Sequence, residues 1–90
     1  MKIKTSVYAK ADRKAIVKYL SQVSVTAPIK FRQALKKHIS IIASSPHIFS
    51  RCDFNPNYRH VVVFGSYVLF YSVDEVSNEI LIYRILHGSQ

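Results

Sequence analysis

The sequence predicts an α+β fold in the order β-α-α-β-β-β, in which a helical hairpin packs on one face of a four-stranded, antiparallel-rich sheet. In the first half of the chain, two segments carry apolar residues at intervals of three and four, the spacing of one helix face. In the second half, three apolar runs are separated by polar segments, as in consecutive strands. Because 90 residues can build one hydrophobic core, residues 1–90 are expected to form a single domain.

The first strand and the first helix are predicted at the start of the chain. Lys2 to Thr5 alternates polar and apolar side chains over a short run, which is typical of a strand. Ser6 follows, and its hydroxyl is suited to capping a helix that begins there. Asp12 interrupts the apolar stripe of this helix, whose members are Ala9, Ile16, Tyr19, Leu20 and Val23.

A second helix is predicted after a short break. Thr26 is the expected N-cap, and Pro28 is tolerated in the first turn, where its missing N–H costs little. The apolar stripe is continuous and comprises Phe31, Leu35, Ile39 and Ile42. Because only a few residues separate the two helices, we expect them to pack as an antiparallel pair.

The last three strands are predicted from residue 58 onward, after a loop over residues 47–57. Tyr58 to Phe64 and Tyr67 to Val73 flank Gly65-Ser66, a two-residue connection with glycine first, as in a type II′ hairpin. Ile80 to Leu86 follows a polar turn and forms the last strand. The predicted sheet therefore contains a hairpin extended by one more antiparallel strand.

The hairpin turn also predicts which side chains share a face of the sheet. In a regular ladder this turn pairs Val63 with Val68 and Val61 with Phe70, and this face is expected to meet the helices. The opposite face is too aromatic to be simply solvated, which indicates a binding surface. Its expected members are Tyr58, His60, Val62, Tyr67, Leu69 and Tyr71.

The chain is strongly basic, with a net charge of +8 and a pI near 9.9. Residues 1–60 hold 12 basic and 2 acidic side chains, whereas residues 61–90 hold 1 basic and 3 acidic ones. The positive charge is therefore concentrated in the region of the two predicted helices. Such a field favours association with nucleic acid, an anionic membrane surface or an acidic protein partner.

Metal and cofactor chemistry is not expected. The histidines at positions 38, 47, 60 and 87 lack ligand spacing, Cys52 has no CxxC partner, and the two glycines form no phosphate loop. The single cysteine and the lack of a secretory apolar segment predict a cytoplasmic protein. No stretch approaches the ~20 apolar residues that span a bilayer, and the helix stripes are needed for the core, so no membrane partner is expected.

Several short segments together form the pattern of a known family. Ala9, Asp12 and Ile16 stand at the family's intervals in the first helix, with Tyr19 after them. Tyr58-Arg59-His60 opens the hairpin, residues 67–71 read as an aromatic strand, and residues 84–88, Arg-Ile-Leu-His-Gly, close the chain's last strand. In these respects the whole chain resembles the RelE/ParE toxin superfamily of plasmid-stabilisation type, and it is most similar to the ParE branch.

The resemblance implies a small bacterial toxin that a cognate antitoxin holds inactive, and it leaves two targets open. RelE-type members cut messenger RNA in the ribosome, whereas ParE-type members act on DNA gyrase. RNA cleavage through the 2′-hydroxyl needs a base, an acid and cations that stabilise the phosphorane. The candidate catalytic residues for that reaction are Arg59, Arg84, His87 and His60.

Two features favour a binding protein over a nuclease. RelE-type enzymes usually carry an arginine directly after the first aromatic residue of the strand that follows the hairpin turn, and Val68 stands there. An ideal strand also points Arg84 and His87 to opposite faces. We therefore expect a ParE-like gyrase inhibitor rather than an enzyme, with an inactive relative that acts only as a binding module as a third interpretation. The expected partner-binding residues are Tyr58, Tyr67, Tyr71, Lys14, Lys18 and Lys36.

Overall fold

A computed structural model describes residues 1–88 and has the predicted order of elements. The elements are β1 (Lys2–Thr5), α1 (Val7–Val23), α2 (Ala27–Ser44), β2 (Tyr58–Phe64), β3 (Tyr67–Asp74) and β4 (Glu79–His87). In the sheet the strands stand in the order β1-β4-β3-β2. β1 runs parallel to β4, and the other two neighbouring pairs are antiparallel. The predicted α+β architecture is confirmed.

The two helices begin at polar residues, although one cap differs from the prediction. The Ser6 hydroxyl accepts a hydrogen bond from the Ala9 N–H at 3.0 Å, so the predicted cap of α1 is confirmed. At α2, Thr26 is the N-cap residue but its side chain makes no capping bond. The Ser24 hydroxyl instead accepts from the N–H groups of Thr26 and Ala27, at 3.1 and 3.2 Å. Thr26 therefore occupies the predicted N-cap position, but the capping hydrogen bond expected from its side chain is not made; its hydroxyl lies 3.2 Å from the Ser24 hydroxyl.

The hydrophobic core lies between the helical hairpin and one face of the sheet. Its helical part confirms most of the predicted stripes, while Tyr19 and Val23 are exposed. The sheet contributes side chains from its last three strands. The buried cluster comprises Ala9, Ile16, Leu20, Phe31, Leu35, Ile42, Val63, Leu69, Tyr71, Ile80, Ile82 and Ile85.

The β2–β3 hairpin contains the predicted turn but not the predicted register. Gly65 has a φ of 53°, and Phe64 pairs with Tyr67, as the type II′ connection requires. The register then shifts by one residue at Val63, so Val62 pairs with Val68 and Val61 with Leu69. The predicted pairs Val63–Val68 and Val61–Phe70 are wrong, because the sequence pattern did not reveal this bulge.

The shift inverts the predicted faces of β3 while leaving those of β2 intact. A slip of one residue moves every side chain of a strand to the other face relative to its neighbour. Leu69 and Tyr71 are therefore fully buried under the helices, and Tyr67 packs edge-to-face on Phe31 of α2 with ring centroids 5.7 Å apart. The prediction that Tyr67 and Tyr71 lie on the open face is wrong; Tyr58 does lie there.

Tyr71 connects the core to the loop that follows α2. Its hydroxyl donates a hydrogen bond to the Pro46 carbonyl oxygen at 2.7 Å, while its ring has no solvent exposure. Burial raises the pKa of this phenol, although the nearby Arg59 partly offsets that effect. Tyr71 is thus a structural residue that holds the loop against the sheet.

The outer edge of β4 is shared between β1 and α1. β1 pairs only with residues up to Ile82, so the rest of β4 has no strand on that side. The Ser6 N–H donates to the Ile82 carbonyl at 2.9 Å, and the Ser6 hydroxyl donates to the Tyr83 carbonyl at 2.5 Å. Nearly two turns after Ser6, a carboxylate oxygen of Asp12 accepts from the Ile85 N–H at 2.9 Å. Side chains of α1 therefore replace the missing strand.

Asp12 also pairs with the side chain of Arg84. The guanidinium Nε donates to one carboxylate oxygen at 2.8 Å, and Nη2 donates to the other at 3.0 Å, which is the bidentate geometry. Burial would raise the pKa of Asp12, but the hydrogen bonds from Arg84 and Ile85 together lower it. The same pair raises the pKa of Arg84. The aspartate that interrupts the helix stripe thus fixes the arginine of the last strand.

Replacing Asp12 with asparagine tests this contact through the pH dependence of stability. Because the folded-state pKa of Asp12 is lowered, its contribution is present above about pH 4 and is lost as the pH falls through the folded-state value. At pH 7 we expect Asp12→Asn to reduce the free energy of unfolding by about 1–3 kcal/mol, with the difference shrinking below about pH 4. Urea unfolding from pH 7 to pH 3 measures this. The exposed Asp53→Asn is the control; an Asp12→Asn effect that does not vary with pH contradicts the account.

Replacing Tyr71 with phenylalanine tests the revised face of β3. Loss of the hydroxyl leaves the Pro46 carbonyl without its partner, so we expect a loss of about 1–2 kcal/mol in the free energy of unfolding. Tyr58→Phe, on the open face, is the matched control and is expected to change stability by less than about 0.5 kcal/mol. Thermal or urea unfolding of the two variants compares them. Equal stability of both variants would mean that the hydroxyl of Tyr71 is not held as described.

Candidate functional site

A cleft lies between α1 and the end of β4, next to the Asp12–Arg84 pair. It has a volume of about 550 Å³. We call it the β4-end cleft. Its lining combines the carboxylate–guanidinium pair with two phenols, one imidazole and an apolar floor, and comprises Asp12, Ala15, Ile16, Tyr19, Tyr67, Arg84, Ile85, Leu86 and His87.

Arg84 and His87 share this cleft although an ideal strand would separate them. His87 lies on the helix side, where its ring meets the ring of Tyr67 edge-on with centroids 5.2 Å apart. In the β3–β4 ladder Arg84 stands opposite Phe70, on the sheet face without helices. Its side chain nevertheless extends around the open edge of β4 to Asp12. Because β1 does not pair with β4 beyond Ile82, the edge is open there and Arg84 can reach the cleft that His87 lines.

A second register shift precedes Arg84. Phe70 pairs with Arg84 and Tyr71 with Ile82, so Tyr83 is an extra residue in β4. Tyr83 and Arg84 consequently both stand between two core residues, Ile82 and Ile85. This bulge brings an aromatic ring and a guanidinium next to each other at one end of the sheet.

The electrostatics of the cleft suit recognition better than phosphate chemistry. Among the described residues that line it, Arg84 is the only lysine or arginine, and Asp12 compensates its charge through two hydrogen bonds. Burial raises the pKa of the Tyr67 phenol, which keeps it neutral. His87 is the one imidazole in the lining. The cleft thus offers a proton-transfer group but no uncompensated cation for a developing phosphorane.

The other two candidate catalytic residues lie elsewhere. Arg59 donates hydrogen bonds to the carbonyl oxygens of Phe49 and His47, at 2.7 and 3.3 Å, and so fastens the loop over residues 45–57. His60 lies against the ring of Phe70, with its Nδ1 atom 3.5 Å from the sulfur of Cys52. Neither residue lines the β4-end cleft. The structure therefore brings together Arg84 and His87 only.

The sheet face without helices carries a group of aromatic rings, which we call the open aromatic face. Tyr58 stacks on Tyr83 with centroids 5.0 Å apart, and Tyr83 meets Tyr8 of α1 edge-on at 6.3 Å. Phe54 meets Phe70 at 6.0 Å. A depression of about 230 Å³ lies among these rings and is bordered by Arg84. The members of the open aromatic face are Tyr8, Phe54, Tyr58, His60, Phe70 and Tyr83.

The predicted aromatic surface therefore exists, but with a different composition. Tyr58 and His60 were expected on it, whereas Phe54, Phe70, Tyr8 and Tyr83 were not. Phe54 lies in a loop without periodicity, so the sequence gives no signal for its position. Only its 75% exposure in the structure identifies it as part of this face. Tyr83 belongs to the apolar run of residues 80–83, which shows no alternation in the sequence; the burial of Ile80 and Ile82 reveals its face only in the structure.

The predicted partner-binding lysines lie on the helices, away from the open aromatic face. Lys14, Lys18 and Lys36 are all exposed. Lys14 and Lys36 border grooves between α1 and α2, whereas Lys18 borders neither of them. The six predicted partner-binding residues therefore lie in different places: Tyr58 on the open aromatic face, Tyr67 in the β4-end cleft, Tyr71 in the core and the three lysines on the helices.

Neither metal binding nor membrane insertion finds support in the part of the chain that the structure describes. Within residues 1–88, no three histidine, cysteine or acidic side chains are grouped closely enough to hold a metal ion. Neither α1 nor α2 is long and apolar enough to cross a membrane.

Comparison with known proteins places the chain in a family. Among curated protein sequences no match is found. Among solved structures, the chromosomal ParDE toxin–antitoxin system from P. aeruginosa is similar, with a TM-score of 0.79 and 21% sequence identity over 97% of this chain and 95% of that one. At this identity the likeness establishes the fold. The family model of the ParE toxin of the type II toxin–antitoxin system parDE matches residues 3–90. The chain therefore belongs to the ParE toxin family.

Proposed function

We propose that this protein is the toxin of a type II toxin–antitoxin pair, that it inhibits DNA gyrase, and that a cognate antitoxin neutralises it. The observation that carries the proposal is that Asp12 already compensates the charge of Arg84. Its guanidinium is held in a bidentate pair by Asp12 at the edge of β4, beside a cleft suited to a protein surface. The family membership supports the toxin role.

The arrangement of cations argues against RNA cleavage. A phosphoryl transition state needs cations whose charge is available to it. The charge of Arg84 is compensated by Asp12, and Arg59 is committed to two loop carbonyls at a separate place. Val68 pairs with Val62 and Leu86, so the position of the missing strand arginine is entirely apolar. A binding function requires none of these missing groups.

The open aromatic face supports the antitoxin part of the proposal. Tyr8 and Phe54 are exposed and the other members of this face are half-buried, and such a contiguous group of accessible aromatic rings is typical of a surface that another chain covers. Arg84 borders both the depression on this face and the β4-end cleft. We further propose that gyrase binds at the β4-end cleft, so an antitoxin on the open aromatic face would reach the edge of that cleft and obstruct it.

One observation favours the alternative of a ribosome-dependent endoribonuclease. Arg84, His87 and two tyrosines line one cleft, which brings together an imidazole, phenols and a guanidinium. In this alternative, His87 performs the proton transfers and Arg84 leaves Asp12 to bind phosphate. The alternative therefore requires the Asp12–Arg84 pair to open when RNA binds.

A supercoiling assay tests the proposed target. We expect the purified protein to inhibit gyrase-catalysed supercoiling of relaxed plasmid DNA, and a cognate antitoxin, once identified and added, to restore it. In parallel, translating ribosomes with a defined messenger RNA report cleavage. Unaffected supercoiling with ribosome-dependent cleavage contradicts the gyrase proposal. Absence of both activities, without growth arrest on induction, indicates an inactive relative.

Two tyrosines of α1 provide a matched pair for separating the two surfaces. Tyr8 and Tyr19 are 59% and 58% exposed, the first on the open aromatic face and the second in the β4-end cleft. We expect Tyr19→Ala to weaken gyrase inhibition about tenfold or more, and Tyr8→Ala to weaken antitoxin binding by a similar factor. Isothermal titration calorimetry and the supercoiling assay measure the two effects. Equal effects of both substitutions in both assays would contradict the division of surfaces.

A further inference from the structure

A row of exposed cations follows the junction of α1 and α2, on the side of the molecule that the proposed function leaves unused. Two adjoining grooves of about 420 and 410 Å³ lie there. Their floor is apolar and recessed, formed by Val17, Leu35 and Ile39. Their rims are entirely basic. We call the rim residues the inter-helix basic groove; they are Lys10, Arg13, Lys14, Arg32 and Lys36.

The charge of this surface has no counter-charge nearby. Helices α1 and α2 hold eight lysine and arginine side chains and one acid, Asp12. Asp12 borders the β4-end cleft and pairs with Arg84. Within residues 1–88 the ion pairs are Lys4–Glu79, His47–Glu75 and Arg84–Asp12, and none involves the inter-helix basic groove. Because these five cations lack an acidic partner among residues 1–88, binding of an external polyanion would reduce their mutual repulsion.

The spacing of the cations matches an extended polyanion rather than a single phosphate. Lys10 and Lys14 are four residues apart on α1, as are Arg32 and Lys36 on α2, which separates each pair by about 6 Å along a helix axis. Packed helices lie about 8–10 Å apart, so the four side chains form two parallel rows. A nucleic-acid duplex presents one negative charge per about 1.7 Å of its axis, on two backbones. Several of these cations can contact phosphates of one duplex at once.

The composition of the groove favours phosphate contacts over base or lipid contacts. No aromatic side chain lines it, so it has no platform on which bases could stack. The apolar floor is recessed, with Leu35 buried in the core, and offers no protruding residue for insertion into a membrane or for anchoring a peptide. What remains exposed is the guanidinium and ammonium groups.

We propose that the inter-helix basic groove binds the phosphate backbone of a nucleic-acid duplex without reading its sequence. The surface is separate from both the β4-end cleft and the open aromatic face. Binding is therefore independent of gyrase, and it would hold the protein close to DNA. Duplex binding by this groove can therefore be tested whether or not gyrase is the target.

The test is a fluorescence anisotropy titration with a fluorescein-labelled 20-base-pair DNA duplex of arbitrary sequence, between 50 and 200 mM NaCl, using the intact chain. With four to five phosphate contacts we expect a slope of log affinity against log salt of about −4. The variant Lys14→Gln/Arg32→Gln/Lys36→Gln removes three contacts and should reduce that slope to about −1 to −2. A titration with an RNA duplex of the same sequence shows whether the groove prefers the backbone of DNA or that of RNA.

The control variant is Lys2→Gln/Lys30→Gln/Lys37→Gln, which removes the same charge from exposed positions outside the groove. We expect it to keep the wild-type slope. Circular dichroism and thermal unfolding verify that both variants fold. If a triple variant does not fold, the single changes Arg32→Gln and Lys37→Gln replace the two sets.

Several results would overturn the proposal. Equal weakening by the two triple variants means that net charge alone attracts DNA. If the duplex does not bind at 50 mM NaCl, the groove is not a nucleic-acid site. Tighter binding of a 20-residue polyglutamate peptide than of the duplex, with the same sensitivity to the groove variant, assigns the surface to an acidic polypeptide. Groove-dependent binding to phosphatidylserine vesicles that exceeds duplex binding assigns it to a membrane.

Discussion

The structure depends on the way α1 closes the outer edge of β4. β1 is too short to cover that edge, and an exposed edge with unpaired backbone groups would be an aggregation hazard. Ser6 and Asp12 supply the missing hydrogen bonds from one helix, and Asp12 also holds Arg84. One carboxylate thus joins the first helix to the last strand, fixes the position of the strand's only arginine and forms one wall of the β4-end cleft. The end of β4, the packing of α1 against it and the geometry of the β4-end cleft therefore depend on the same contacts.

Two register shifts decide what each surface of the sheet presents. The shift at Val63 turns Tyr71 into the core, where it anchors the loop after α2. The shift at Tyr83 places that ring beside Arg84 on the side that the helices leave open. The result is a molecule with three distinct surfaces: a cleft at the strand end, an aromatic face and a basic groove between the helices. Each differs in chemistry, so each is suited to a different class of partner.

The sequence predicted the elements well, because amphipathic periodicity and turn chemistry are local properties. The two helices, the Gly65-Ser66 turn and the strand order along the chain all follow from them. Bulges are not local in this sense: nothing in the run Tyr58 to Phe64 indicates that Val63 is extra, and the face of β3 was consequently assigned wrongly. The Asp12–Arg84 pair joins residues 72 positions apart and was equally hidden. In the sequence Asp12 is recognisable only as a charge that interrupts an apolar stripe, which is consistent with a partner on a neighbouring element.

The central claim is that Asp12 and Arg84 act as one unit that fixes the end of β4. A double-mutant cycle measures it most directly, with Asp12→Asn, Arg84→Gln and the double variant compared by urea unfolding at pH 7. The account predicts a coupling energy of about 1–3 kcal/mol between the two positions, with the double variant little less stable than either single one. Additive effects, with a coupling energy near zero, would contradict it.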